Sequence, residues 1–193
     1  MYLLRMNEVR RRAIHLCGGA ALASALVAGS AIEGAAQHPP RGDNLALVSP
    51  LVGRWTGTTD GQPGTGTVER EYERVLGDTF IRVQNRSTYP PQPKNTTGEA
   101  HQDLGFFSYD RARKAIVFRQ FHGEGFVNQY VVDPSSTAAR IVMSTEAIEN
   151  IPPGWRARET YVVDADRLEE TFELAAPGKD FEIYSKNRLT RVR

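Results

Sequence analysis

The segment Leu-Val-Gly-Arg-Trp-Thr-Gly at residues 51–57 decides the fold. From this segment onward, runs rich in Val, Ile, Tyr, Phe and Thr are separated by short clusters of Gly, Pro, Asn and Asp, as in successive β-strands and turns. Gly53 allows another part of the chain to approach closely, and the indole of Trp55 is large enough to fill the base of a closed barrel. The alternative for Trp55 is an ordinary core position, and both interpretations make it structural.

The strands can be placed individually from these signals. Loops between them are too short for parallel crossovers, so neighbouring strands should run antiparallel. Closure would remove both exposed edges of such a sheet. The sequence therefore predicts an all-β fold, a single ten-stranded antiparallel up-and-down β-barrel with an internal pocket. The predicted strands are 52–59, 66–76, 79–88, 100–109, 115–122, 126–132, 140–149, 155–163, 167–175 and 181–192.

Residues 1–36 differ in composition from the rest of the chain. Four arginines within the first 12 residues precede a stretch of small and apolar residues. This pattern is typical of a secretory signal peptide that is removed from the mature protein, and a single membrane anchor is the alternative. We expect residues 37–50 to form a flexible leader with a short helical turn at 45–50, and residues 51–193 to form the barrel domain. The expected location is periplasmic or secreted.

Composition excludes several classes of function. Cys17 is the only cysteine and lies in the predicted signal, so the mature chain would have neither disulfides nor cysteine-rich zinc sites. Beyond residue 36 there are 20 Lys and Arg against 21 Asp and Glu, without a basic tract. We therefore expect no nucleic-acid partner and, after removal of the signal, no membrane partner.

Many predicted strands carry polar residues on both faces. A packed interior would pay a large desolvation cost for so many polar groups, whereas a lumen that holds water or a ligand would not. This pattern favours a pocket on the order of several hundred cubic ångströms, in which a few polar groups orient a small, largely apolar ligand. The expected polar anchors are Arg82, His101, His122, Asn128 and Tyr130.

His101 and Asp103 lie on one predicted strand with their side chains on the same face, and His122 lies on the next strand. Two histidines and a carboxylate on neighbouring strands can form a facial metal triad. The alternatives are a hydrogen-bonded pair that lines the pocket and a general-base pair. No nucleophile motif accompanies these residues, which favours binding over catalysis.

Charged residues recur along two other predicted strands and could suggest catalytic carboxylates. We predict instead that they are solvated, because charged side chains are rarely buried. This prediction covers Glu69, Glu71 and Glu73 on one face with Arg70 and Arg74 opposite, and also Glu169 and Glu170.

Two motifs together resemble those of the nitrobindin-like, fatty-acid-binding-protein-like branch of the calycin barrels. Residues 53–57 supply Gly-x-Trp-x-Gly, and residues 98–106 read Gly-Glu-Ala-His-Gln-Asp-Leu-Gly-Phe. The second motif is similar to the family's Leu-His-x-Glu-x-Gly-aromatic strand, with Asp in place of Glu and Ala in place of Leu. The resemblance spans residues 48–192 and implies a ten-stranded calycin-like barrel around one pocket.

The resemblance also implies roles for particular residues. His101 and His122 would line the pocket, and an arginine of the last strand would pack over Trp55. Arg188 and Arg191 are the candidates for that arginine, and we predict Arg188. Nitrobindins hold haem, act on reactive nitrogen species and ligate the iron through a histidine in the last strand. Residues 181–189 contain no histidine, although Tyr184 could in principle ligate iron.

Three functions are compatible with the sequence, and the cofactor stays unknown. The first is an exported barrel that binds a small, largely apolar ligand, with Asp103 among the pocket residues. The second is a haem-binding, nitrobindin-like protein in which His101 or His122 replaces the missing iron ligand. The third is a barrel enzyme that uses His101, Asp103 and His122 as a metal or acid–base site.

Overall fold

The computed structural model describes residues 43–193, so the predicted signal at 1–36 and the start of the predicted leader lie outside the described residues. Ten antiparallel strands follow one another along the chain. Each strand pairs with the next, and the last pairs with the first, which closes the barrel. The strands are β1 (Gly53–Gly61), β2 (Gly64–Val75), β3 (Phe80–Tyr89), β4 (Glu99–Asp110), β5 (Ala115–His122), β6 (Val127–Val132), β7 (Arg140–Glu149), β8 (Arg156–Asp164), β9 (Arg167–Ala175) and β10 (Glu182–Arg191). The predicted fold is confirmed, and each predicted strand end lies within two residues of the observed one.

Trp55 closes the base of the barrel. The side chain is fully buried, and its Nε1 donates a hydrogen bond to the carbonyl oxygen of Leu51 at 2.7 Å. The guanidinium of Arg191 lies 4.1 Å from the centre of the indole and donates to the carbonyl oxygen of Val52 at 2.6 Å. Gly53 has a φ of +129°, a backbone conformation that other residues rarely adopt, so this position favours glycine.

The prediction that Arg188 covers the indole is wrong, because Arg191 is the residue that does so. Trp55 lies opposite Arg191 in the pairing of β1 with β10. Side chains alternate between the two faces of a strand, and Arg188 is three positions before Arg191 on β10. The Arg188 side chain therefore points to the opposite face, where it is exposed.

A short helical turn covers the same end of the barrel. It includes a 3₁₀ helix at Ser49–Leu51, in the region where the sequence predicts a helical turn. Leu45, Val48 and Leu51 are buried and belong to the hydrophobic core. The end of the leader nearest to β1 is therefore packed against the barrel. Within residues 43–193 there is no helix long and apolar enough to cross a membrane.

The interior changes from apolar to polar along the barrel axis. Near the helical turn, the rings of Phe107 and Phe118 stack with centroids 4.3 Å apart, and Phe118 stacks on Tyr130. A Cβ at Gly105 would lie 2.4 Å from the ring of Phe118, so this glycine makes room for the aromatic row. Toward the opposite end, which we call the mouth, the inward positions of β3, β4 and β5 become polar, namely Asn85, Ser87, His101, Asp103, Gln120 and His122.

Candidate functional site

His101, Asp103 and His122 meet at the mouth of the barrel, and we call them the His–Asp–His cluster. The pairing of β4 with β5 places Asp103 directly opposite His122, and alternation puts His101 on the same inward face. Nε2 of His101 lies 3.3 Å from Nδ1 of His122 and 3.4 Å from Oδ2 of Asp103. The sequence predicted that His101 and Asp103 share a face and that His122 lies on the next strand, and the structure brings the three side chains together.

Three further side chains hold the cluster, and none of them is among the predicted site residues. Glu124 belongs to the β5–β6 hairpin, and its Oε1 atom is at a distance of 2.7 Å from Nδ1 of His101. Asn85 donates to Oδ2 of Asp103 at 2.8 Å, and Gln120 donates to Oδ1 at 2.9 Å. The Asp103 carboxylate is therefore fixed through both oxygens. Alternation could have indicated Gln120, which is two residues before His122 on one strand.

Asn128 and Tyr130 join the cluster from β6, as the sequence predicts. The Asn128 amide nitrogen lies 3.1 Å from Nε2 of His122 and donates to the Tyr130 hydroxyl at 3.0 Å. Oδ1 of Asn128 is buried and has no hydrogen-bond partner. The ring of Phe126 stacks on His122 with centroids 4.0 Å apart. The site is thus polar on one side and aromatic on the other.

Arg82 does not join the cluster, contrary to its expected place in the lumen. It lies on the outer face of β3, where it forms an ion pair with Glu73 at 2.5 Å. Asn85 points inward and lies three positions after Arg82 on the same strand. Because side chains alternate between the two faces, Arg82 points outward.

The two histidines have opposite pKa shifts. Burial opposes protonation of His101, but its hydrogen bonds to Asp103 and Glu124 raise its pKa to about 9. Burial lowers the pKa of His122 to about 4, and the neighbouring His101 also lowers it, against the attraction of Asp103. At neutral pH His101 is positively charged, Asp103, whose pKa is lowered, is negatively charged, and His122 is neutral, so the three side chains together carry no net charge. This arrangement can bind a polar group at the mouth.

A network of buried charges lies deeper in the lumen, where the sequence predicted solvated residues. Arg70 forms an ion pair with Glu170, and both side chains are buried, so the prediction for these two residues is wrong. Arg70 also donates to Oδ1 of Asn85 at 3.1 Å, which links the network to Asp103. Glu69, Glu71, Glu73 and Glu169 lie on the outer face, in agreement with the sequence.

Glu159 is a second buried carboxylate of this network. Burial raises its pKa to about 8, and repulsion by Glu170 adds to this, although a hydrogen bond from Tyr161 acts in the other direction. The Tyr161 hydroxyl donates to Oε2 of Glu159 at 2.5 Å. Glu159 therefore holds a proton at neutral pH. The charged groups of the network are then one cation, Arg70, and one carboxylate, Glu170.

A depression of about 760 Å³ also lies over strands β1 to β5. On β1 to β4 its lining contains two outward side chains for each inward one, for example Gln84 and Arg86 around Asn85. The depression therefore follows the outer face of the sheet, and its lining extends to Asp103 and His122 of the cluster. The volume expected for a pocket inside the barrel stays a prediction.

Residues 44–191 match the family model of the THAP4-like, heme-binding beta-barrel domain. The chain belongs to this family. Membership confirms the nitrobindin-like resemblance that the motifs at 53–57 and 98–106 carry.

A solved structure of Rv2717c from M. tuberculosis has the same fold, with a TM-score of 0.60. It is 20% identical to this chain and covers 78% of this chain and 98% of its own length. At this identity the likeness shows the fold alone. No curated protein sequence matches the chain significantly.

The family description raises the question of whether this member's donor set fits haem. An axial ligand needs an imidazole nitrogen that is free of other partners and faces open space. The inward positions of β10 include Ser185, Asn187 and Leu189, and this strand contains no histidine. Both ring nitrogens of His101 and of His122 already face protein atoms. The two histidines of the described residues thus do not fit an axial haem ligand.

Proposed function

We propose that this protein binds a small, largely apolar molecule at the mouth of its barrel and anchors the polar end of that molecule at His101. The observation that carries the proposal is the partly exposed imidazole of His101, which lies at the same end of the barrel as several half-buried apolar side chains. The apolar side chains toward the mouth end of the barrel are Phe126, Ile148, Phe172, Leu174 and Tyr184. A pocket that is mostly apolar with a few convergent polar groups is typical of small-molecule sites. Membership of a ligand-binding barrel family supports the same function.

Replacing His101 with leucine should weaken binding of an apolar anion. The probe is 1-anilinonaphthalene-8-sulfonate, which joins an aromatic body to one negative charge. Both ring nitrogens of His101 already face protein atoms, so the variant loses a nearby positive charge and not a hydrogen bond to the probe. A partly exposed charge pair contributes up to about 1 kcal/mol, so we expect the dissociation constant to rise about two- to fivefold. Fluorescence titration in buffer with a chelator measures this change.

Arg82→Leu is the matched control for this titration. It also removes one positive charge, but from the outer face, where Arg82 pairs with Glu73. We expect the control to bind the probe as the wild type does. An equal loss of affinity in both variants would show that net charge, and not the mouth, governs binding.

Haem is the second candidate, because the family description names it. We expect haemin to bind without a defined axial ligand, since both ring nitrogens of His101 and His122 are engaged. Titration with haemin should then give a broad absorption band that is unchanged in a His101→Ala/His122→Ala variant. A sharp Soret band that is lost in this variant would establish haem binding instead.

A further inference from the structure

We infer that His101, Asp103 and His122 form a binding site for one divalent transition-metal ion. The inference begins with the convergence of three ligand atoms, Nε2, Oδ2 and Nδ1. One candidate atom from each residue lies within 4.8 Å of the other two, and the two contacts made by Nε2 of His101 measure 3.3 and 3.4 Å. Ligands that bind one zinc ion at about 2.1 Å lie roughly 3.4 Å apart in a tetrahedral site. The two separations that involve Nε2 of His101 match this spacing.

The supporting contacts are those of a built site. Metal-bound histidines normally donate their other ring nitrogen to a carboxylate or a carbonyl group. Here Glu124 accepts from Nδ1 of His101 on the side away from the cluster. Asn85 and Gln120 hold the Asp103 carboxylate, so its orientation does not depend on the ion.

His122 has its own partner on the side away from the cluster. Its Nε2 faces the Asn128 amide at 3.1 Å. The amide turned by 180° would present Oδ1, which is buried without a partner, to the N–H of His122. Coordination through Nδ1 and donation from Nε2 would then satisfy both nitrogens of the ring.

The donor set selects the class of ion. Two imidazoles and one carboxylate suit zinc, iron, cobalt or nickel better than magnesium or calcium, which prefer oxygen ligands. Three protein ligands leave coordination positions for another molecule. In the metal-bound protein the ion would replace the proton of His101 as the positive charge at the mouth. The metal site can be tested without any ligand, so its failure and that of the proposed function are distinguishable.

The test uses full-length, untagged protein freed of metal with a chelator and then titrated with Co²⁺. We expect saturable binding at one ion per chain, visible as d–d absorption, and displacement of Co²⁺ by Zn²⁺. Asp103→Asn should weaken Co²⁺ binding at least tenfold. Glu124→Gln, which removes only the support for His101, should weaken it about ten- to a hundredfold. Glu146→Gln, an exposed glutamate remote from the cluster, is the matched control and should bind as the wild type does.

A second measurement needs no variant and therefore does not depend on how the variants fold. Long-range ¹H–¹⁵N spectra of the wild type with Zn²⁺ should show coordination at Nε2 of His101 and at Nδ1 of His122. Coordination at these two different nitrogens is specific to the geometry of this cluster. Absence of one-to-one Co²⁺ binding, or Zn²⁺ shifts confined to His15 and His38, would overturn the proposal.

Discussion

Arg70→Leu is expected to lower the free energy of unfolding by about 3–5 kcal/mol, because it leaves a buried carboxylate without its counter-charge. Arg70 and its partner Glu170 are both buried, with side chains 5% and 6% exposed. Arg70 also donates to Asn85 at 3.1 Å and to the Tyr72 hydroxyl at 3.2 Å, so these acceptors would lose a donor as well. Urea denaturation of the wild type and the variant measures the loss.

The double variant Arg70→Leu/Glu170→Leu separates the cost of an unpaired charge from the value of the pair. Replacement of both ions by apolar groups is often neutral or stabilising, so we expect the double variant to be more stable than Arg70→Leu. Arg74→Leu, on the same strand, removes a partly exposed pair with Asp43 and should cost less than about 1 kcal/mol. A double variant as unstable as the single one would contradict this account.

Trp55→Ala should have an effect of similar size, a loss of about 3–5 kcal/mol in the free energy of unfolding. The side chain is 1% exposed and fills the base of the barrel, so its removal leaves a cavity. The variant also loses the hydrogen bond to Leu51 and the contact with Arg191. Thermal and urea unfolding, followed by circular dichroism, measure the change.

The chain provides its own control for this prediction. Trp155, the second tryptophan, is 38% exposed, and Trp155→Ala should change stability by less than about 1 kcal/mol. If Trp55→Ala were equally mild, the helical turn with Leu45, Val48 and Leu51 would be sufficient to close the base.

The barrel could be predicted from the sequence because its signals are local. Clusters of Gly, Pro, Asn and Asp mark the turns, and in the β2–β3 turn Leu76, Gly77 and Asp78 all have positive φ. The cluster of His101, Asp103 and His122 could be predicted for the same reason. Two of its members are two residues apart, and the third lies across one short hairpin.

Which face of a strand points inward is a less local property. Alternation places Arg82 and Asn85 on opposite faces, but only the packing of the whole barrel decides which of them enters the lumen. The same holds for Arg188 and Arg191 on β10. The buried pair of Arg70 and Glu170 joins residues 100 positions apart, and no pattern within β2 or β9 indicates its partner.

The closing pair of strands has a consequence for how the chain folds. Arg191 donates to the carbonyl oxygen of Val52 across 139 residues of sequence, and β1 has only β2 as a neighbour until β10 arrives. Contacts between such distant residues form slowly, because the loop that they close is long. We therefore expect closure of this seam to limit the folding rate. Until then, two unpaired strand edges are open to pairing with other chains.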